Sequence, residues 1–425
     1  MHTKYLHRTP EREEAPGTMT TVLRSDDMRR RNRLRIIQIV RRKGAISRGE
    51  IAQQAALSPA TVSTISNDLI AEGVLVARGS DNAPSTGRGR PSIDLSINPE
   101  CRHAVLLILK IGAVNVAIVD YAGTVIARQE FELDMAGIDR DTFRESLIAE
   151  IRQTWEASGL APRQLARIAV AVQGTTDIAG RMFLRSPMTP LTDLPIADWL
   201  EEDFGVPVRL ANDCDLIAKA LNWRDPDLYN DNFAAILLAH GVGMGLFLRG
   251  QIVNGTRSSG TEFGHMMYKA GGALCRCGAR GCIEANAGDY AIMRRYRQQP
   301  FDAIPASHVA ARDLARAASA AREGDPLARE TFAAAGRALG SGLAGIYALV
   351  DPFRVAFAGH GAVAFDLMEP ALREILGESN AAAARDIPID LYVDEMPLVL
   401  EGCGIGALSE IDADQADRVS DAARA

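Results

Sequence analysis

The chain has 425 residues, of which 47% are hydrophobic, and its 47 Lys and Arg against 54 Asp and Glu give a net charge of −7. This composition excludes an intrinsically disordered chain, a collagen-like fibre and a small disulfide-rich domain, and the length predicts about two or three domains. No apolar run approaches the roughly 18 residues of a membrane helix, and the first residues do not resemble a secretory signal. We therefore expect a soluble, cytoplasmic protein with no membrane partner.

The charge is unevenly distributed along the chain. Residues 21–91 carry 13 Arg and Lys against six Asp and Glu, a net charge of +7, whereas the chain from residue 92 onward has a net charge of −14. A basic segment attached to an acidic body predicts that only the first segment binds a polyanion. Residues 1–28 lack hydrophobic periodicity and are predicted to be a flexible tail.

Residues 29–97 predict a winged helix-turn-helix domain, because three short helices are followed by two strands around a turn-rich stretch. The first helix has an apolar face and an opposite face rich in arginine. The third helix begins where Ser58 suits the N-cap and Pro59 suits the first helical position. The two strands are predicted over 74–76 and 93–97.

The third helix is predicted to enter a DNA major groove, because its exposed face carries short polar side chains. The residues predicted to contact DNA from this helix and its cap are Ser58, Ala60, Ser63, Thr64 and Asn67. Arg88 and Arg90 lie on a glycine-flanked stretch of the wing that suits a minor groove. The alternatives are a helical bundle used for dimerisation and a flexible linker whose arginines are simply solvated.

From residue 98 onward, strands alternate with helices, which is typical of an α/β fold. A helix is predicted over 141–158, and buried strands are predicted over 104–109, 114–119, 167–172, 206–210 and 233–239.

The strongest chemical motif is formed by His265, Cys275, Cys277 and Cys282, in the spacing H-x9-C-x-C-x4-C. Three thiolates and one imidazole complete a closed tetrahedral shell of the kind that holds structural Zn²⁺. Disulfides are disfavoured in a cytoplasmic chain, so free thiols are the alternative. The other three cysteines stand alone and are predicted to be small buried apolar residues: Cys101, Cys214 and Cys403.

A second group of polar residues suits a polyhydroxylated ligand, because each sugar hydroxyl both donates and accepts a hydrogen bond. Its members follow a predicted strand or lie in the zinc loop, residues 262–284: Asn212, Asp213, Glu262, His265 and Glu284. Each alone would be interpreted as a cap or a surface residue, and their combination beside the metal motif carries the prediction. The glycine-rich sequence 240–245 suits either a phosphate loop or a plain hairpin turn.

Two segments carry a resemblance to a known family: Gly-Thr-Glu-Phe-Gly-His at 260–265 and Cys-Arg-Cys-Gly-Ala-Arg-Gly-Cys-Ile-Glu at 275–284. They resemble the signature of the ROK family, which contains repressors, unassigned reading frames and sugar kinases. The resemblance extends over about residues 29–406, and the N-terminal winged helix is typical of the repressor branch. It implies a two-lobed, actin-like (ribonuclease H-like) domain over 98–425, with a ligand cleft between the lobes. It also implies that the five polar residues contact a sugar or sugar derivative, and that His265 binds zinc through one nitrogen and faces the ligand with its other edge.

Departures from the kinase branch argue against catalysis. Where the kinases have an acidic residue, a second glycine and a threonine in their first phosphate loop, this chain has Lys110-Ile111-Gly112-Ala113-Val114-Asn115. His240 and Met244 occupy the second phosphate loop, and Ser186-Pro187-Met188 replaces a Pro-Asn pair that usually touches sugar. Asp213, the catalytic base of the kinases, is retained.

The sequence therefore predicts a non-enzymatic DNA-binding transcriptional regulator, a repressor that binds operator DNA, structural zinc and a sugar effector. A homodimer or homotetramer is expected, because a winged helix that binds a palindrome favours an even number of copies. One alternative is an ATP-dependent sugar kinase fused to a DNA-binding domain, supported by Asp213. Another is a constitutive scaffold that needs no ligand.

Overall fold

The computed structural model describes residues 25–79, 93–258, 260–379 and 382–422. Most of the predicted tail and the tip of the wing, with Arg88 and Arg90, lie outside the described residues. The last four residues of the predicted tail, 25–28, instead form the start of the first helix. Asp26 and Asp27 lie in its first turn, where negative charge stabilises a helix N-terminus.

Residues 25–79 and 93–97 form a three-helix head with a small antiparallel sheet. Its elements are α1 (Ser25–Lys43), β1 (Ile46–Ser47), α2 (Arg48–Ala55), α3 (Pro59–Ala71), β2 (Leu75–Gly79) and β3 (Ile93–Ile97). Strand β3 pairs with both β2 and β1, so the predicted two-stranded wing gains a third short strand. The winged helix-turn-helix prediction is otherwise confirmed.

The first lobe contains a five-stranded sheet in the order β10-β7-β4-β5-β6. Its elements are β4 (His103–Lys110), β5 (Ala113–Asp120), β6 (Val125–Glu132), α4 (Arg140–Ala157), β7 (Leu165–Val172), β8 (Thr175–Thr176), β9 (Phe183–Arg185), α5 (Ile196–Phe204), β10 (Val208–Asn212) and α6 (Asp213–Arg224). Strands β4, β7 and β10 are parallel, whereas β5 and β6 form an antiparallel meander with β4.

The second lobe repeats this arrangement, with the order β13-β12-β11-β14-β15. Its elements are β11 (Phe233–Leu238), β12 (Val242–Leu248), β13 (Gln251–Ile252), α7 (Glu284–Ala287), α8 (Asp289–Tyr296), α9 (Ala311–Glu323), α10 (Pro326–Tyr347), β14 (Arg354–Ala358), α11 (Phe365–Glu378), β15 (Ile389–Tyr392) and α12 (Met396–Ala422). In each lobe a three-stranded antiparallel meander is extended by two parallel strands, which confirms the two-lobed α/β prediction. Helix α12 returns to the first lobe and packs on β4, β7 and α6.

The head is packed against the body rather than separated from it by a linker. A single buried cluster includes Ile36 and Leu75 of the head, Tyr121 of the first lobe and Leu408 of α12. Helix α1 contacts α12 along its length. The orientation of the head is therefore fixed by the same apolar core that holds α12.

The junction of α1 and α12 also contains a buried ion pair. The two terminal nitrogens of the Arg41 guanidinium donate to Asp412, at 2.5 and 2.9 Å, and the hydroxyl of Tyr121 donates to the same carboxylate at 2.5 Å. The side chains of Arg41 and Asp412 are only 4% and 2% exposed. Nearer the solvent, Arg30 pairs with Asp417.

These pairs involve several arginines of the first helix. Arg30 and Arg41 pair with acidic side chains of the body, while Arg33 is buried against Glu72 within the head. Part of the +7 charge of residues 21–91 is thus neutralised inside the protein, because the acidic C-terminal helix lies directly against α1.

Candidate functional site

The exposed face of α3 is the candidate nucleic-acid surface. Its N-cap, Ser58, accepts a hydrogen bond from the backbone N–H of Thr61 at 3.1 Å, as the sequence predicted for a helix start. Ala60, Thr64 and Asn67 are exposed and Ser63 is half-buried, whereas the opposite face of the helix is buried in the head. Ser58 is committed to capping, so its contribution to this surface is to fix the helix start.

One residue on this surface was missed by sequence reasoning. Arg48, at the start of α2, donates to the side-chain oxygen of Asn67 at 3.1 Å. The guanidinium of Arg48 therefore lies beside the polar face of α3, where it is able to contact a DNA phosphate. Its position after the Ser47 cap was visible in the sequence, but its proximity to Asn67 depends on how α2 crosses α3.

A cavity of about 190 Å³ lies between the two lobes. Its walls are formed by the loop after β7, the end of β9, the start of α6, the β11–β12 turn and the metal loop. The side chains and backbone that line it include those of Thr175, Arg185, Asn212, Asp213, Gly241, Glu262, His265, Arg276 and Glu284. All five residues predicted to contact the ligand thus line one cavity. Residues from separate parts of the chain converge here because the carboxyl ends of the strands meet at the cleft.

Asn212 and Asp213 reach the cavity from the end of β10. The Asn212 side chain caps α6 by accepting from the N–H of Cys214 at 2.9 Å, and its amide donates to the carbonyl of Gly174 at 2.7 Å. Asp213 accepts from the same Cys214 N–H. Burial raises the pKa of Asp213 to about 7, although its hydrogen bonds with Cys214 oppose the rise. This carboxyl group is therefore poised to change its protonation near neutral pH.

Glu262 is held at the open side of the cavity by both lobes. One carboxylate oxygen accepts from Thr175 Oγ1 at 3.0 Å and from Arg185 at 2.9 Å, while the other lies 3.6 Å from His265 Nε2. Thr175 and Arg185 belong to the first lobe and were not predicted as site residues. No sequence motif marks them, because they lie 87 and 77 residues from Glu262 along the chain.

Glu284 joins the cavity wall to the metal loop. One oxygen of its buried carboxylate accepts from the N–H of Val242 at 3.2 Å, and the other accepts from the Tyr290 hydroxyl at 3.2 Å. The second oxygen also lies 3.5 Å from Cys275 Sγ. Its present contacts therefore fix the β11–β12 turn relative to the metal loop.

The glycine-rich sequence 240–245 forms the hairpin between β11 and β12. A Cβ atom at Gly241 would lie 2.6 Å from a Glu284 carboxylate oxygen, and one at Gly245 would lie 2.2 Å from the carbonyl oxygen of Cys214. These glycines allow the hairpin to approach Glu284 and α6 closely. The predicted hairpin is confirmed, and Gly241 and Gly243 of this turn also line the cavity.

The four residues of the Cys/His motif lie together, with their ligand atoms within 4.8 Å of one another. The Sγ atoms of Cys277 and Cys282 are 3.8 Å apart, and Cys275 Sγ is 3.6 Å from His265 Nδ1. Tetrahedral zinc with Zn–S of about 2.3 Å and Zn–N of about 2.05 Å would give edges of about 3.8 and 3.6 Å. The donor set therefore fits a structural metal ion.

The three remaining cysteines were predicted to be buried. Cys214 and Cys403 are buried, but Cys101 is only half-buried. It ends a short 3-10 turn that follows the last strand of the head, and its backbone carbonyl accepts from the Arg102 guanidinium at 2.7 Å.

Residues 110–115, which stand where the kinases have their first phosphate loop, contain a tight turn between β4 and β5 at Ile111 and Gly112. The ammonium group of Lys110 pairs with Glu130 on β6 at 3.5 Å, and the N–H of Ile111 donates to the side chain of Gln173. Asn115 is fully buried and accepts from Arg128. None of these three side chains, Lys110, Ile111 and Asn115, lines the cavity.

Comparison with known proteins identifies the family. The model of the ROK family matches residues 109–392, and the model of the winged helix-turn-helix DNA-binding domain matches residues 29–76. The chain belongs to the ROK family. Among the described helices of this ROK protein, none combines the length and the apolar character needed to cross a bilayer.

Relatives with the same two parts match this ROK protein over most of its length. The DNA-binding transcriptional dual regulator NagC of Escherichia coli K12 is 25% identical over 379 residues, which cover 88% of this chain and 91% of that protein. The DNA-binding transcriptional repressor Mlc of Escherichia coli K12 is 24% identical over 367 residues, covering 84% and 88%. The xylose repressor of Caldicellulosiruptor bescii is 21% identical over 386 residues, covering 89% and 96%.

Solved structures show the same fold. A ROK family transcriptional regulator described as a homolog of the E. coli MLC protein superposes with a TM-score of 0.74 at 23% identity, covering 92% of this chain and 98% of the other. A ROK family glucokinase from Streptomyces griseus, in complex with glucose and AMPPNP, superposes with a TM-score of 0.57 at 20% identity, covering 72% and 99%. The predicted combination of a winged head with an actin-like ROK body is confirmed.

Proposed function

We propose that this ROK protein is a transcriptional repressor that binds operator DNA through its winged head and is regulated by a sugar or sugar derivative bound between its lobes. The observation that carries this proposal is the physical connection between the cavity and the head. Helix α6 begins in the cavity with Asp213 and packs against α12, and α12 holds α1. NagC, Mlc and the xylose repressor, which share both parts of the chain, support the same function.

The connection consists of close contacts that transmit displacement. Helix α12 crosses α6 at Gly402, where a Cβ atom would lie only 2.0 Å from the carbonyl oxygen of Leu216. Arg224 at the end of α6 pairs with Glu401. A ligand that favours one separation of the lobes would move α6, and with it α12 and the head, because packed elements shift as units.

The ligand contacts follow from the lining of the cavity. We propose that Asp213, Glu262 and His265 bind the hydroxyls of a sugar, with the carboxylates accepting and the imidazole N–H donating. Asn212 contributes mainly by holding α6 in register with the loop at Gly174, and Glu284 by holding the β11–β12 turn. Arg185 and Arg276 also line the cavity, but each already pairs with a carboxylate, Glu262 and Asp289 respectively.

We propose that Zn²⁺ is the ion held by His265, Cys275, Cys277 and Cys282, and that its role is structural because four protein ligands leave no open position. Its binding would order the loop 262–284. His265 would then bind the ion through Nδ1 and present Nε2 toward Glu262 and the cavity. Zinc content measured on Cys277→Ser, compared with Cys101→Ser as a matched control, tests the assignment.

We propose that the protein is not an enzyme. In the first phosphate loop, no acidic side chain is available to order a metal ion beside the cavity, and Lys110 is turned toward Glu130. One observation favours the alternative of a sugar kinase: Asp213 has a pKa raised to about 7, which suits a general base. A coupled ATPase assay across hexoses and amino sugars tests it, and turnover that disappears in Asp213→Asn would establish the kinase.

The DNA-binding surface is proposed to comprise α3, with Ala60, Ser63, Thr64 and Asn67 facing the bases, and the wing with Arg88 and Arg90 in a minor groove. A homodimer or homotetramer would place two such heads on the half-sites of a palindrome.

The function is tested by selecting bound fragments from a random DNA pool and titrating the best one by fluorescence anisotropy. Ala60→Glu places a negative charge on the exposed start of α3 and is expected to abolish specific binding. Gln251→Glu makes the same charge change at an exposed site on the second lobe and should bind normally. A selected fragment that binds no more tightly than random DNA would contradict the proposal.

Sugars and sugar phosphates are then screened by thermal shift, since a ligand of the native state raises the melting temperature. Hits are added to the DNA titration, where an effector changes the apparent affinity for DNA and a ligand of a constitutive scaffold does not.

A further inference from the structure

A second group of metal-binding side chains lies beside the zinc loop. His240, Asp289 and His360 bring three ligand atoms within 4.8 Å of one another. His240 Nδ1 is 3.0 Å and His360 Nε2 is 3.7 Å from the same oxygen of Asp289. None of these residues takes part in the Cys/His cluster.

The three side chains come from separate parts of the second lobe. His240 lies in the turn between β11 and β12, Asp289 begins α8, and His360 follows β14. The Asp289 side chain is 1% exposed, while those of His240 and His360 are 21% and 24% exposed. A buried carboxylate beneath two partly exposed imidazoles forms a site that is closed on the protein side and open to solvent.

Groups other than the two histidines also hold the Asp289 carboxylate in place. Its second oxygen accepts from the N–H of Tyr290 at 2.5 Å and lies 3.6 Å from a guanidinium nitrogen of Arg276. The remaining oxygen is the one that faces both histidines. Such support from neighbouring groups orients metal ligands and keeps a carboxylate ionised.

The distances suit a transition-metal ion. Ligands at about 2.05 Å from an ion are about 2.9 Å apart when they meet at right angles and about 3.4 Å apart in a tetrahedron. The observed values of 3.0 and 3.7 Å lie close to this range. Imidazole nitrogens favour Zn²⁺, Fe²⁺, Ni²⁺ or Cu²⁺ over Mg²⁺ and Ca²⁺, which prefer oxygen ligands.

We propose that His240, Asp289 and His360 form a second metal site that binds a divalent transition-metal ion with at least one open coordination position. Two imidazoles and one carboxylate leave that position for water or for a ligand atom. The ring of His308 lies 4.9 Å from that of His240, but His308 is not one of the three grouped ligands.

This site is connected to the cavity through Arg276. The guanidinium of Arg276, which lies between the first two cysteines of the zinc loop, donates to the carbonyl oxygen of His240 and pairs with Asp289. Gly241, the residue after His240, lines the cavity. An ion at the second site would therefore restrain the wall of the cavity and the zinc loop together.

The test measures how many ions one chain binds and what ligands they have. Untagged protein is stripped with chelator and titrated with Co²⁺, and metal content is determined by mass spectrometry after dialysis against Zn²⁺. Cobalt on the Cys/His cluster gives thiolate charge-transfer absorption, whereas cobalt on two imidazoles and a carboxylate does not. We expect two ions per chain in the wild type.

The variants separate the two sites. His240→Gln and His360→Gln should each retain one ion with the thiolate absorption intact, and Cys277→Ser should lose that absorption and retain one ion. His308→Gln, a histidine at the edge of the same group, should keep two. Melting temperatures in excess chelator establish that the histidine variants fold like the wild type.

A wild-type chain that binds one ion, with thiolate absorption only, would overturn the proposal. So would two ions in both His240→Gln and His360→Gln. These outcomes do not depend on DNA or sugar binding, so the second site stands or fails separately from the repressor function.

Discussion

The buried pair between Arg41 and Asp412 provides a sharp test of how the head is held on the body. Asp412→Asn keeps the size of the side chain but removes its charge, leaving the guanidinium of Arg41, which is 4% exposed, without a counter-ion. It also weakens the acceptor of the Tyr121 hydroxyl. Breaking one partner of a buried pair typically costs about 3 to 5 kcal/mol. We expect the free energy of unfolding to fall by about this amount.

The chain offers a matched control on the same two helices. Asp417 pairs with Arg30, but these side chains are 58% and 37% exposed. Exposed pairs contribute about 1 kcal/mol or less, because water screens them, so Asp417→Asn should be nearly neutral. Urea unfolding followed by circular dichroism measures both variants. If Asp412→Asn loses no more stability than Asp417→Asn, the buried pair of Arg41 and Asp412 does not stabilise the contact between head and body.

Three further predictions concern the cavity, the path to the head and the wing. Because burial raises the pKa of Asp213 to about 7, its carboxylate becomes the main form only above about that pH. Effector affinity measured by calorimetry should therefore rise between pH 6 and 8, at most about tenfold per pH unit. Gly402→Ala forces a Cβ atom against the backbone of α6 and should lower the free energy of unfolding by about 1 to 3 kcal/mol in urea titrations. Arg88→Ala combined with Arg90→Ala should reduce the slope of log K for DNA against log salt by about 2, measured by anisotropy.

Each of these predictions has a control within the chain. Asp213→Asn should remove the pH dependence of effector binding, and a dependence that persists would assign it to another group. Gly406→Ala, in the same helix as Gly402 but with nothing within 4 Å of the added Cβ atom, should be neutral or stabilising by up to about 1 kcal/mol. An unchanged salt slope in the double arginine variant would mean that this stretch is a linker.

The pKa of Asp213 also links folding to pH. Its folded-state pKa is raised above that of an unfolded aspartate, so the native state binds the proton more tightly. Stability contributed by the protonated group is present at low pH and declines as the pH rises toward about 7. Asp213→Asn removes this decline, which distinguishes a buried carboxyl group from a solvated one.

Features that depend on neighbouring residues were predictable from the sequence. Ser58 and Pro59 marked the start of α3 because an N-cap side chain contacts a backbone group only three residues away. The Cys/His cluster was predictable because Cys275, Cys277 and Cys282 lie within eight residues and zinc allows only a small range of ligand geometries. Alternation of strands and helices likewise predicted the α/β class.

Features that depend on distant partners were not predictable. The burial of Arg41 could not be predicted, because its partner Asp412 is 371 residues further along the chain. The residues that support Glu262, Thr175 and Arg185, come from the other lobe.

The amino-acid sequence alone determined the modules of this protein: a capped third helix, a four-residue Cys/His motif and an α/β body. Each rests on contacts between residues that are close along the chain, so spacing is sufficient to indicate them. Only the tertiary structure decided that the head is locked to the C-terminal helix and that α6 runs from the cavity to that helix. It also brought His240, Asp289 and His360 together. These arrangements depend on how whole helices and strands pack against one another, and local sequence patterns do not indicate that packing.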